Sequence, residues 1–328
     1  MREGYAYIAF TDRGERLAEK LAEALGGEVC RAGREKTLSE WTEQAFPERA
    51  GLFFVGAAGI AVRAIASCLR NKTEDPAVIV VDERGRFVIP LLSGHLGGAN
   101  ELADAAAGIT GGTAVITTAT DLNGAFAVDL WAKRQGMKVL QPNRIKQVSG
   151  KILQGEPAGI RCRWPVMGTE PENVWLGTGD DVVVDYRRQE TEALQLVPVV
   201  LTLGIGCRKG TASEALEHIF DRFCKERNIL PQAIRAAASV SLKAEEEGLL
   251  RFCERHDWPI HFFEAEELRS AEGDYSASAF VKAAVGVDNV CERAAVLESG
   301  GILIERKFAR DGVTFALAEQ KTRFDWSW

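Results

Sequence analysis

Short apolar runs alternate with helical stretches over roughly the first 140 residues, and few folds accept that rhythm. Tyr5-Ala6-Tyr7-Ile8-Ala9-Phe10 reads as a strand. Leu17, Leu21, Ala24 and Leu25 then share one face of a helix over 14–25, which Gly26-Gly27 stops. Gly51-Leu52-Phe53-Phe54-Val55 is a second buried strand, Gly56-Ala57-Ala58-Gly59 a tight turn, and 60–69 a helix. Strands over 77–81 and 87–92 are joined by Asp82-Glu83-Arg84-Gly85-Arg86, which predicts a hairpin. A helix from about 98 to 108, a strand over 114–118, a helix over 124–135 and a short strand over 137–140 follow. The fold class is α/β: a mostly parallel sheet covered by helices, as an N-terminal domain over 1–141.

Prolines 142, 157, 165 and 171 then break the pattern, with short runs such as 182–185 between them. We read a small mixed middle module over 142–196. A new start at Pro198 opens a second α/β domain over 197–328. Its strand over 199–203 leads to a helix over 211–227, with Thr211 and Glu214 spaced as a capping box. Strand 234–240, helix 244–256, strand 260–263, a helix around 290–297 and a terminal pair, 301–306 and 313–318, follow. Trp326 and Trp328 are expected in a frayed tail.

The chain has 328 residues, enough for two or three cores. A net charge of -7 argues against a nucleic-acid partner but not against an anionic small molecule, which local cations decide. Seven scattered cysteines, with no C-x-x-C, fit neither a disulfide framework nor a zinc site. The first residues show no charged-then-apolar signal, and the apolar run 51–62 is too short to span a bilayer, so a cytoplasmic protein without a membrane partner is expected.

The strongest chemical candidate is Ser93-Gly94-His95-Leu96-Gly97-Gly98-Ala99-Asn100-Glu101, between a buried strand and a helix. Ligands bind beyond the carboxyl ends of strands in open α/β sheets. Three glycines in five residues admit a ligand close to the backbone, and a helix N-terminus favours an anion. His95 suits proton transfer near neutral pH, although a lone His at such a turn is more often a cap. Thr117-Thr118-Ala119-Thr120-Asp121-Leu122-Asn123-Gly124 is a second polar loop at a strand end. Thr118, Asp121 and Asn123 would face the same crevice, unless Asp121 or Asn123 merely caps the next helix. Lys72-Thr73-Glu74-Asp75-Pro76 reads as a solvated turn. Gly204-Ile205-Gly206-Cys207-Arg208-Lys209-Gly210-Thr211 misses the dinucleotide and P-loop spacings, leaving an anion cradle with two cations. Cys207 would have a lowered pKa there, yet reads better as a packing residue. Asp288 or Asn289 is a plausible cap at the junction 286–295. His218, His256 and His261 read as structural.

Three segments together resemble one family: 72–83, the run Pro90-Leu91-Leu92-Ser93-Gly94-His95-Leu96-Gly97-Gly98-Ala99-Asn100-Glu101, and 115–121. The chain is similar to the cobalamin-biosynthesis CbiG family, the cobalt-precorrin-5A hydrolases of the anaerobic route. Residues 204–211 and 286–295 look like landmarks of the C-terminal domain shared with CobE. The resemblance implies a hydrolase that opens the δ-lactone of a cobalt corrinoid and releases acetaldehyde, giving cobalt-precorrin-5B. It implies no cofactor of its own, since cobalt arrives with the small-molecule substrate. A homodimer or contact with neighbouring pathway enzymes stays open. Under that resemblance His95 is the expected base, or else an axial cobalt ligand. Ser93, Gly97 and Gly98 complete the catalytic loop, with the glycine N–H groups as oxyanion site. Arg63, Lys72, Asn100, Glu101, Thr118, Asp121, Asn123, Arg208 and Lys209 would hold substrate. The alternative class is a corrinoid carrier without chemistry of its own. A nucleotide-binding enzyme, the third reading, would be stabilised by NAD or ATP.

Overall fold

The computed structural model describes residues 2, 4–34, 36–71, 74–95, 97–277 and 286–328, with residue 121 described by its backbone alone. The chain divides into two compact units, Met1–Leu130 with Ile152–Gly155, and Trp131–Lys151 with Glu156–Trp328. Each has an α/β architecture. Among the described residues, no helix is long and apolar enough to cross a membrane.

In the first unit, strands β1 (Tyr5–Ala9), β2 (Glu28–Arg31), β3 (Gly51–Val55), β4 (Ala77–Val81), β5 (Phe87–Leu92) and β6 (Thr113–Ala114) form one sheet, ordered β2-β1-β3-β4-β5-β6. Alternation along the central strands sends Tyr7, Phe53, Val55, Ile79 and Val81 to one face, where helices Asp12–Leu25 and Ala99–Thr110 cover them. Ile8, Leu52, Phe54, Val78 and Val80 go to the other, under Leu38–Glu48 and Ala58–Ile65. Burial on both faces explains why 51–55 and 77–81 are unbroken apolar runs.

The hairpin expected across 82–86 forms, and it decides where the polar loops go. β5 runs antiparallel to β4, pairing Val81 with Val88 and Val78 with Leu92. The loop after Leu92 therefore leaves the sheet where β4 begins. β6 is parallel to β5 and directs its loop the same way. The expectation that both loops lie beyond the carboxyl edge of the parallel strands is corrected: they lie beyond the opposite edge. The strand expected over 114–118 shortens to Thr113–Ala114. Val115 N–H still bonds the Val88 carbonyl at 2.8 Å, and the chain then turns into helix Ala119–Leu122.

The second unit carries two five-stranded sheets. One holds β7 (Met137–Val139), β8 (Ala158–Cys162), β10 (Val174–Leu176), β11 (Val182–Val184) and β12 (Leu194–Pro198). β7 pairs antiparallel with β12, so the strand expected over 137–140 belongs to this sheet. The other has the order β15-β14-β13-β17-β16, with parallel strands β13 (Leu201–Cys207), β14 (Ile234–Val240) and β15 (Ile260–Phe263). The antiparallel pair β16 (Ile302–Arg310) and β17 (Val313–Glu319) completes it. Phe220, Phe252, Trp258 and Phe315 pack edge to face beneath it, and His256 stacks on Trp258 at 4.1 Å while bonding Glu217. His256 is structural, as expected, and His261 pairs with Glu298.

Three local expectations are corrected. The helix after β13 is Ser213–Arg227, and Thr211 does not cap it: its hydroxyl donates to the Arg208 carbonyl at 2.8 Å, while Glu214 bonds Ser213 and Arg255. The helices expected over 124–135 and 244–256 shorten to Val128–Arg134 and Glu247–Arg255. The tail is not frayed. β18 (Phe324–Asp325) pairs with β9 (Val166–Met167), and buried Trp326 stacks on Trp131 at 5.4 Å. Stacked aromatic burial of this kind outweighs the entropy of a loose end.

Candidate active site

Ser93 turns the chain out of β5 in a left-handed conformation, φ +58°. Its hydroxyl donates to the Asp75 carbonyl at 3.0 Å, which ties the loop to the start of β4. Glycine is required here because the loop's own atoms fill the space. A Cβ on Gly97 would lie 2.3 Å from Ser93 Cβ, and one on Gly94 2.7 Å from Asn100 Oδ1. This corrects the reading of open backbone awaiting a ligand. The helix N-terminus is likewise closed by its own loop. Ala99 N–H donates to Ser93 O and Asn100 N–H to Gly94 O, both at 3.1 Å, and Gly98 N–H to His95 O at 3.0 Å. Gly98 therefore has no N–H to offer an oxyanion in this conformation.

The two polar loops meet. Asn100, buried at the helix start, donates through Nδ2 to Thr118 Oγ1 at 3.1 Å. His95 lies between two further partners, its side chain 11% exposed. Nδ1 is 3.4 Å from Asp129 Oδ1, and Nε2 is 3.3 Å from Thr120 Oγ1. Burial alone would raise the Asp129 carboxyl. The His95 hydrogen bond and charge, with the backbone N–H groups of Asp129 and Leu130, outweigh burial and hold it below the usual carboxylate range. Asp129 faces His95 Nδ1 as an acceptor, and the Thr120 hydroxyl faces Nε2. A carboxylate, an imidazole and a hydroxyl in this order form a proton-transfer chain.

Sequence reasoning missed Asp129 and Thr120. Asp129 stands in the apolar run Phe126-Ala127-Val128-Asp129-Leu130, 34 residues from His95. One acid inside an otherwise buried run was the available signal. Of the other expected residues, Glu101 is exposed in the first turn of helix Ala99–Thr110, and exposed Asn123 donates to the Ala119 carbonyl at 2.8 Å instead of capping the next helix. Arg63 donates to Gly59 O at 3.0 Å, on a helix that starts at the other edge of the sheet. Lys72, Leu96 and the Asp121 side chain lie outside the described residues.

Arg208 and Lys209 belong to the second unit, where they line a cavity of about 1000 Å³ at the carboxyl ends of β13 and β14. The cradle expected from Gly204 and Gly206 is corrected, because both lie inside β13. A Cβ on Gly204 would fall 1.7 Å from Cys291 O, and one on Gly206 2.5 Å from Thr314 Oγ1, so close packing requires them. Burial pushes the Cys207 thiol up rather than down, outweighing nearby Lys243. Asn289 does act as a cap, accepting from Glu292 N–H at 2.9 Å.

The molecule is an α/β protein with a buried, hydrogen-bonded imidazole in one unit and a cavity lined by charged residues in the other. Family models match along most of the chain: Cobalamin synthesis G N-terminal over residues 40–121, Cobalamin biosynthesis central region over 126–240 and Cobalamin synthesis G C-terminus over 201–318. The cobalt-precorrin-5A hydrolase of Salmonella typhimurium is 36% identical over 293 residues, which cover 84% of this chain and 83% of that protein. The protein of the same name from Priestia megaterium is 30% identical, over 83% of this chain and 79% of its own length. The crystal structure of CobE, a protein from the cobalamin (vitamin B12) biosynthetic pathway, covers 38% of this chain and 93% of its own at 30% identity, with a TM-score of 0.36. The chain belongs to the CbiG family.

Proposed function

We propose that the chain is a cobalt-precorrin-5A hydrolase of cobalamin biosynthesis, opening the substrate's δ-lactone with release of acetaldehyde to give cobalt-precorrin-5B. The observation that carries this reading is His95, set between Asp129 and Thr120 in a largely buried site. Asp129 fixes the Nδ1–H tautomer, so Nε2 takes the proton from the attacking water, directly or through the Thr120 hydroxyl. Gly97 is the glycine of the pair whose N–H serves the developing oxyanion, since that of Gly98 is committed to His95 O. Ser93 holds the loop rather than attacking. Asn100 and Thr118 hold the two loops together and present the polar edge beside His95.

Hydrolysis of this kind needs no cofactor from the protein, because the cobalt is part of the substrate. Axial ligation of that cobalt would need the same Nε2 lone pair and displacement of Thr120. The seven cysteines are all free thiols, which suits a cytoplasmic enzyme. His95→Ala, assayed for acetaldehyde release, is expected to lose roughly 10²- to 10⁴-fold in turnover. Unchanged turnover would remove both the base and the ligand role.

A further inference from the structure

Lys72-Thr73-Glu74-Asp75-Pro76 reads as a solvated turn, yet its Asp75 is only 8% exposed. The Asp75 carboxylate reaches back along the chain, and both its oxygens accept from Arg70 N–H, at 3.0 and 3.2 Å. Its own N–H donates to the Asn71 carbonyl at 2.9 Å. Side chain and backbone of one residue thus shut the turn together, as aspartates do where a chain reverses. Pro76 confines Asp75 to an extended backbone, and Ala77 N–H bonds Ala50 O at 3.1 Å as β4 enters the sheet. The Asp75 carbonyl is therefore held in one direction.

That carbonyl accepts from Ser93 Oγ–H at 3.0 Å. Ser93 needs such a grip. Its φ of +58° is a conformation that a residue with a side chain keeps only when its surroundings hold it. The rest of the loop is built on Ser93: its carbonyl accepts from Ala99 N–H at 3.1 Å, and Gly97 sits tight against its Cβ. His95 leaves the chain two residues after Ser93 and meets Asp129 at 3.4 Å and Thr120 at 3.3 Å. Both distances are at the long end for a hydrogen bond, so a small rotation of the loop separates the groups.

We propose that Asp75 is a positioning residue for His95: its buried carboxylate shuts the turn from Arg70 to Asp75, which holds its carbonyl within reach of Ser93 Oγ and keeps the loop aimed at Asp129 and Thr120. That the aim of His95 governs turnover rests on the function proposed above; the positioning itself does not.

The test follows the His95 imidazole by nitrogen NMR of the labelled full chain. The chain has 4 histidines, and the His95 ring resonances are identified by their loss in His95→Gln. Asp75→Ala leaves Arg70 N–H without its acceptor. It should move the His95 ring resonances and lower kcat for acetaldehyde release roughly tenfold or more, with KM little changed. Asp75→Asn keeps one oxygen for Arg70 N–H and should resemble wild type in both measurements. Ser93→Ala cuts the same connection at its next hydrogen bond and should match Asp75→Ala. The Asp75→Ala/Ser93→Ala double variant should then lose no more than either single variant. Unmoved His95 resonances in Asp75→Ala, or losses that multiply in the double variant, overturn the proposal. Should circular dichroism show Asp75→Ala unfolded, Ser93→Ala carries the test, and wild-type His95 resonances in that variant overturn it. Absence of acetaldehyde release by the wild-type chain, with the resonances responding as described, would instead remove the reaction and leave the positioning.

Discussion

Around His95 in the first unit the polar groups are paired with one another; around the cavity of the second, Lys243 and Arg310 are paired while Arg208, Lys209 and Lys307 have no carboxylate within 4.0 Å among the described residues. Around His95, the loop amides bond the loop's own carbonyls, Asn100 bonds Thr118, and the imidazole has a carboxylate on one side and a hydroxyl on the other. Around the cavity, Arg208, Lys209 and Lys307 have no carboxylate within ion-pair distance among the described residues, although Lys209 and Glu246 attract each other at longer range. Proton transfer needs the first arrangement, because one tautomer must be held in place. Recognition of a multiply charged ligand needs the second, because each cation already paired would have to be freed before it could bind.

The contrast can be broken most severely at Asp129. Asp129→Asn keeps the shape but can present an amide N–H to Nδ1, favouring the wrong tautomer. Turnover should fall roughly 10²- to 10⁴-fold with KM for the corrinoid little changed. A comparable rise in KM would mean that the first unit also binds. Gly97→Ala forces a methyl into Ser93, and should destabilise the first unit by about 1–3 kcal/mol, seen as a lower urea midpoint together with lost turnover.

Acid gives a smaller effect of defined sign. The folded Asp129 carboxyl is held below its ordinary value, so its stabilisation is fully present above about pH 4 and is lost as pH falls through the depressed value. The thermal midpoints of wild type and Asp129→Asn should differ at neutral pH and converge as the wild-type carboxyl protonates. The smallest change is expected at Cys207, whose thiol burial keeps neutral. Cys207→Ala should alter turnover by less than about twofold, and a large loss would assign the second unit chemistry as well as binding.

Much of the frame was legible in local pattern. The turn 82–86 announces its hairpin, and the glycine-rich run from Ser93 marks the loop that carries His95. What that hairpin does to the loop's direction was not drawn from the sequence, because it depends on which way β5 runs against β4. The lone acid in its apolar run marked Asp129 as unusual, but only tertiary structure sets it and Thr120 beside His95. Gly204 and Gly206 misled because a strand packed against Cys291 O and Thr314 needs glycine as much as a phosphate loop does.

The stacking of Trp326 on Trp131, with Trp131 Nε1–H donating to Asp325 O at 2.6 Å, also bears on synthesis. A ribosome adds these two rings almost two hundred residues apart, so Trp131 waits through most of translation for its cover. Chains released short of Phe324 would display that indole, and a quality-control system that surveys exposed aromatic surface would have a direct mark of incomplete synthesis.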